Sequence, residues 1–192
     1  TGDYNIAVGA FALEDLVSGS SNIAIGGNAG ANLTTSSTTY VGSGAGKFNV
    51  TGVGNTAIGY LSMYGSSGNS HEYNTAVGSN TLEDITTGSS NTAMGYQALA
   101  NITDGANNVG IGRAAGDSIT TGDGNTIIGR SDVSAADAQQ QIVIGYLMGG
   151  TANSRVHIGN NVSHIYSDYT SNATWTHSSD KRQKKEIKDD TL

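Results

Sequence analysis

Short apolar clusters recur along this chain at a nearly constant spacing, and each follows the pattern Asn-x-Ala-apolar-Gly. Residues 55–59 and 91–95 are full copies, whereas residues 155–159 are one of three copies that lack the asparagine. Neighbouring copies end 14 to 19 residues apart. A regular period of this length is the signature of a repeat architecture. The closing glycines are Gly9, Gly26, Gly42, Gly59, Gly78, Gly95, Gly112, Gly129, Gly145 and Gly159.

Each copy predicts one short β-strand. The second and fourth positions, such as Thr56 and Ile58, lie on one side of a strand, and the third, Ala57, lies on the other. A repeat of about 17 residues is too short for a βαβ unit of about 30 residues, but it can hold two short strands and two turns. We therefore predict an all-β parallel solenoid of about ten coils with two ladders of strands.

The alternation also suggests which side chains fill the coils. We expect the fourth-position side chains Ile25, Ile58, Val77 and Met94 to occupy the interior. In the half-coil after each strand, Leu13, Met63, Leu82 and Leu99 should fill the remaining space. Glycine takes that place at positions 30, 46 and 116, which predicts thinner coils there.

The third-position alanines then form a flat row with no partner inside the chain. Thin coils bury little apolar area at roughly 25 cal/mol per Å², so we expect three copies to pack through this row around a central axis. Small side chains would let the three backbones approach closely. The alanines concerned are Ala24, Ala57, Ala76 and Ala93.

Composition narrows the class of protein. The chain has 28 glycines, no proline and no cysteine, and only 13% of its 192 residues are charged. Collagen needs glycine at every third position and abundant proline, and disordered chains are usually richer in charge. The net charge of −7 argues against nucleic acid as a partner. Because the sequence starts at Thr1 without methionine, we expect a fragment of a longer protein.

The strand motif resembles that of a known family. Residues 55–59, NTAIG, are similar to the short strand of YadA-like trimeric autotransporter heads, and the longer period is closer to phage tail fibre repeats. The resemblance covers roughly residues 1–160. It implies a left-handed parallel β-roll in an intertwined or axially packed homotrimer. We accordingly assign residues 1–161 to a β-roll shaft.

The C-terminal residues differ from the repeats. Residues 162–177 are more aromatic and read as a neck, and residues 178–192 hold five of the nine basic residues. Residues 179–187, SDKRQKKEI, resemble the start of the C-terminal intramolecular chaperone of phage tail spikes and fibres, which releases itself by autoproteolysis. The resemblance implies a dyad of Ser179 as nucleophile and Lys184 as base. The local pattern alone is equally that of a solvated helix start.

These observations favour a structural and adhesive segment of a trimeric phage tail fibre in the virion, without enzymatic activity in the shaft. A polysaccharide-degrading tail spike and a bacterial trimeric surface adhesin are the alternatives. Depolymerases carry paired carboxylates in a groove, whereas the acidic residues here are sparse and follow the turns. The expected partners are two further copies of the chain, a host-cell receptor or glycan, and the rest of the fibre or virion. We expect no nucleic acid and no cofactor.

His157 is the one candidate metal ligand of the shaft. It occupies the third strand position, which the expectation above places on the trimer axis, where three copies would meet. A hydrogen-bonded histidine stack, or a trapped anion or water, is the alternative to a metal ion there.

Overall fold

The computed structural model describes residues 2–132, 135–150, 153–168 and 176–178. Within them, twelve strands form one sheet whose spatial order follows the chain. No helix in these residues has the length and apolarity that a membrane crossing requires. The strands are β1 Ile6–Val8, β2 Ile23–Ile25, β3 Thr39–Val41, β4 Thr56–Ile58, β5 Thr75–Val77, β6 Thr92–Met94, β7 Val109–Ile111, β8 Thr126–Asp132, β9 Ile142–Gly149, β10 Arg155–Asn160, β11 His164–Asp168 and β12 Thr176–Ser178.

Strands β1 to β10 pair in parallel, each with the equivalent strand of the next coil. The result is a β-solenoid of about nine turns of about 17 residues, which confirms the predicted all-β parallel architecture. The parallel ladder ends at β10, because β11 and then β12 add in antiparallel orientation.

The prediction of a second strand ladder is wrong for the part of the chain that the structure describes. The other half of each coil is a series of turns, joined to the next coil by backbone hydrogen bonds such as Leu82 N–H to Ala98 C=O at 3.1 Å. Met63, Leu82 and Leu99 have φ of 50° to 51°, a left-handed conformation that costs roughly 1–2 kcal/mol per residue. This conformation turns the chain back on itself, so no second strand forms.

The predicted assignment of the two strand faces is also wrong. Third-position alanines are completely buried inside the coils in β2, β4, β5 and β6, although Ala7 of β1 is exposed, whereas Ile25, Ile58 and Met94 of the fourth position are 40%, 41% and 48% exposed. Val77 is half-buried. The buried alanines are Ala24, Ala57, Ala76 and Ala93.

The leucine and methionine side chains of the turns explain why only a small residue fits at the third position. Leu13, Met63, Leu82 and Leu99 are buried, as predicted, and they fill the coil from the turn side. A Cβ added at Gly110, the third residue of β7, would lie 2.6 Å from Cγ of Leu99. The space between sheet and turn is therefore already full.

The coils with glycine in place of these leucines, which the sequence predicts to be thinner, are filled from the strand side. A Cβ at Gly46 would lie 2.5 Å from the Tyr40 ring, and one at Gly116 would lie 3.3 Å from Cγ1 of Ile127. Both Tyr40 and Ile127 occupy the third strand position and are fully buried. A large side chain on the strand thus replaces the missing one on the turn.

A ladder of buried asparagines joins the coils at the first repeat position. Oδ1 of Asn74 accepts hydrogen bonds from the backbone N–H and from Nδ2 of Asn91, at 2.9 and 3.1 Å, and Nδ2 of Asn91 also donates to the Gly105 carbonyl at 2.9 Å. The same pattern recurs at Asn108 and Asn125. Buried polar groups need such partners, which explains why asparagine opens most repeats.

Candidate functional site

The outward side of the parallel ladder is an apolar and uncharged surface. We call it the outer sheet face and define it by the second and fourth residues of the repeat motif in β1 to β10. Nine steps of about 4.8 Å and two columns of side chains give an area of roughly 40 by 10 Å. Its side chains are Ile6, Val8, Ile23, Ile25, Thr39, Val41, Thr56, Ile58, Thr75, Val77, Thr92, Met94, Val109, Ile111, Thr126, Ile128, Ile142, Ile144, Val156 and Ile158.

Two features make this face unusual for the solvent-exposed surface of a monomeric protein. Parallel sheets are normally covered on both faces, yet all side chains of this face except Val156 are exposed or half-buried, and seven of them are large, apolar and at least 36% exposed. Apolar patches beyond a few hundred Å² are uncommon on soluble monomers. The outer sheet face is therefore the strongest candidate for an interface.

His157, predicted on the trimer axis, is buried within the single chain. It is 1% exposed, and its ring stacks on Tyr166 at 5.8 Å between centroids and lies 5.9 Å from the ring of His164. Burial, followed by the positive charges of His164 and Arg155, lowers the pKa of His157. Within the described ranges, no group of three or more residues of the types His, Cys, Asp and Glu is arranged to hold a metal ion.

A second buried histidine was not singled out by the sequence pattern. His71 is fully buried, and neither of its ring nitrogens has a hydrogen-bond partner. Its backbone carbonyl accepts a hydrogen bond from Nδ2 of Asn55, at 2.6 Å. The carbonyls of Gly88 and Gly105 accept the equivalent hydrogen bonds in later coils. Burial lowers the pKa of His71 to about 4. The histidine is therefore held neutral inside the coil.

Arginine and tyrosine share one exposed column at the sixth repeat position, directly after the closing glycine. Tyr96, Arg113, Arg130 and Tyr146 occupy this position in four successive coils, and all four are exposed. We call them the Arg–Tyr column. Aligning the repeats in the sequence shows that the four residues share one position of the motif. The structure adds that this position recurs in stacked coils.

A cleft of about 350 Å³ lies beside the column. It forms where the repeat becomes irregular: β8 and β9 continue to Asp132 and Gly149 instead of turning after the closing glycine, and their register shifts between Arg130 and Asp132. Arg130, Asp117, Ser131 and Leu147 are among the lining residues.

Ser179 and Lys184, the predicted cleavage dyad, lie outside the described residues. Comparison of the chain with protein-family models, with curated proteins and with solved structures gives no match in any of the three.

Proposed function

We propose that this chain is a structural and adhesive segment of a homotrimeric phage tail fibre, which contributes to host-cell attachment as part of the virion. The observation that carries the proposal is the outer sheet face. A parallel sheet with one uncovered apolar face needs a partner, and a further copy of the same chain supplies a matching surface.

A rod that repeats every coil is suited to parallel self-association. Two copies placed side by side can match every coil of one with a coil of the other, since both have the same period. The absence of charge from all twenty positions of the outer sheet face means that no ion is desolvated in such an interface. The resemblance of the repeats to trimeric fibres favours three copies over two.

This proposal differs from the sequence-based expectation in the surface that it uses. The alanines fill the coil, so the β-branched side chains of the outer sheet face would pack around the axis instead. Assembly would cover side chains such as Ile58 and Ile111, which are 41% and 37% exposed in the single chain. Covering one such side chain fully contributes on the order of 1 kcal/mol, repeated in each coil.

Light scattering of the purified chain tests the assembly. We expect a mass of three times 19.5 kDa. Ile58→Arg should reduce the mass to that of the single chain without loss of β-structure, since three charges would meet at the axis. Asp84→Arg, an exposed position on the turn side of the next coil, is the matched control and should remain trimeric. A stable wild-type monomer, or a trimeric Ile58→Arg variant, would refute the proposed interface.

Adhesion is tested separately with the fluorescently labelled trimer. We expect it to bind host cells and to compete with the phage that carries the fibre for adsorption. Binding without release of sugar fragments from the cell surface would support an adhesive fibre over a depolymerase.

We also propose self-cleavage beside Ser179, with Lys184 as its base, when the complete chaperone is present. The support is the resemblance of residues 179–187 to the start of that domain. The lysine must be neutral to accept the serine proton, so it must be desolvated in the assembled protein. In a chain with the whole chaperone, Ser179→Ala and Lys184→Ala should each abolish processing and leave trimers intact, as measured by mass spectrometry of the product. Cleavage of Ser179→Ala at the wild-type rate would exclude the dyad.

A further inference from the structure

The Arg–Tyr column stands at the most irregular part of the solenoid. Up to Arg113, each coil turns immediately after its closing glycine; at Arg130 and Tyr146, β8 and β9 extend further and open the cleft. Irregularities that interrupt a ladder often redirect side chains beside binding sites. The column and the cleft are therefore a candidate binding site.

The two arginines form a concentrated positive charge in an acidic protein. Arg113 and Arg130 each follow the closing glycine of adjacent coils, and these glycines are in contact, since a Cβ added at Gly112 would lie against the Gly129 carbonyl. Neither forms an ion pair with a carboxylate among the side chains that the structure describes. By contrast, Arg155 pairs with Asp168 at 3.1 Å. Two positive charges in adjacent coils favour an anion that can interact with both.

The chemistry of guanidinium groups specifies the anion. A guanidinium can donate two parallel hydrogen bonds to a carboxylate or a phosphate, which gives both affinity and orientation. A ligand that carries carboxylate or phosphate groups therefore fits this pair of arginines.

The tyrosines at the two ends of the column add apolar contact area. Tyr96 and Tyr146 are 48% and 57% exposed, and they flank the arginine pair in the coil before and the coil after. A backbone hydrogen bond joins the first two coils of the column, since Ala114 N–H donates to the Tyr96 carbonyl at 2.8 Å. A tyrosine ring offers an apolar face and a hydroxyl group, which suits the alternating C–H and O–H surface of a sugar.

We propose that the Arg–Tyr column and its cleft bind an anionic glycan along the fibre axis, with Arg113 and Arg130 holding its carboxylate or phosphate groups and Tyr96 and Tyr146 contacting the flanking sugars. This inference rests on the proposed adhesive function and gives it a ligand class. The carboxylate of an acidic capsule and the phosphate of a lipopolysaccharide core share the chemistry that the arginines recognise.

Binding to three immobilised probes tests the site: polygalacturonate, polysialic acid and phosphorylated lipopolysaccharide, with methyl-esterified polygalacturonate as the uncharged control. The proteins are the wild type, Arg113→Gln, Arg130→Gln, the double variant, Tyr146→Ala, and Lys47→Gln as a matched loss of one positive charge in a distant coil. We expect the wild type to bind at least one anionic probe and to ignore the methyl ester. The double variant should lose about tenfold or more in affinity, whereas Lys47→Gln should keep it.

The outcomes distinguish a carboxylate ligand from a phosphate ligand, and they decide whether the site exists. Binding to the uronate or sialate polymers assigns carboxylate recognition, and binding only to lipopolysaccharide assigns phosphate recognition. Binding to none of the probes, equal binding to the methyl ester, or unchanged affinity of the double variant overturns the inference. Light scattering of each variant is a further check, because loss of the trimer in the double variant would place the arginines in the subunit interface instead. A trimer that binds host cells equally well with both arginines replaced would refute the glycan site while leaving the adhesive function standing.

Discussion

Acidification should destabilise the solenoid through His71. The pKa of this histidine falls from 6.5 to about 4 because burial disfavours the charged ring. In the unfolded chain the ring keeps its ordinary pKa, so the unfolded state binds more protons between these two values. Stability is therefore intact above about pH 6.5 and declines as the pH falls towards 4. A difference of about 2.5 pKa units corresponds to about 3 kcal/mol per chain.

Guanidinium unfolding, followed by circular dichroism at fixed protein concentration, measures this effect between pH 7.5 and 4.5. The comparison is with His71→Leu, which removes two buried nitrogens that have no hydrogen-bond partner and should be neutral or stabilising at pH 7.5. The wild type should lose about 2 to 3 kcal/mol more than the variant on acidification. His157 also has a lowered pKa, but it is present in both proteins and cancels. An NMR titration of His71 near pH 6.5, or the same pH dependence in both proteins, would refute the reasoning.

Three further substitutions test the packing of the coils. Ala57→Arg should prevent folding, since Ala57 is fully buried, and circular dichroism would detect the loss of β-structure. Gly95→Ala would place a Cβ 2.6 Å from the Gly112 carbonyl oxygen at a φ of 127° and should cost about 1–3 kcal/mol, seen as a lower melting temperature. Asn91→Ala leaves the Gly105 carbonyl without its side-chain donor and should cost about 1–3 kcal/mol by chemical unfolding; an unchanged midpoint would argue against the ladder.

The repeat period predicted the solenoid because the residues that recur are those that touch their equivalents in the next coil. The closing glycine is one example. A Cβ at Gly95 would meet the backbone of Gly112, the same residue one coil later. The asparagine ladder is another, since Asn74 and Asn91 bond to each other across one period. Such contacts act at a fixed sequence separation, so a single sequence reveals them.

The direction of the two strand faces could not be predicted in the same way. Alternation shows that Ala57 and Ile58 lie on opposite sides of β4, but both are apolar, so hydrophobicity does not decide which is inside. The volume left by the turn decides it. Leu82 and Leu99 enter the interior from a left-handed backbone conformation, which local propensity disfavours in leucine, and they leave room only for alanine or glycine.

The repeats also provide an internal test of which surface is constrained. The sixth position differs between coils and includes Ser79, Tyr96 and Arg113. Such variation is expected of a solvent-exposed position, because water tolerates side chains of different size and charge. The outer sheet face stays β-branched or apolar in all ten strands from β1 to β10, although all of its side chains except Val156 are exposed or half-buried in the single chain. Solubility alone would favour charged residues there. Exclusion of charge from an exposed face is the pattern expected if the proposed trimer buries that face, and variation at the sixth position is compatible with the proposed ligand site beside it.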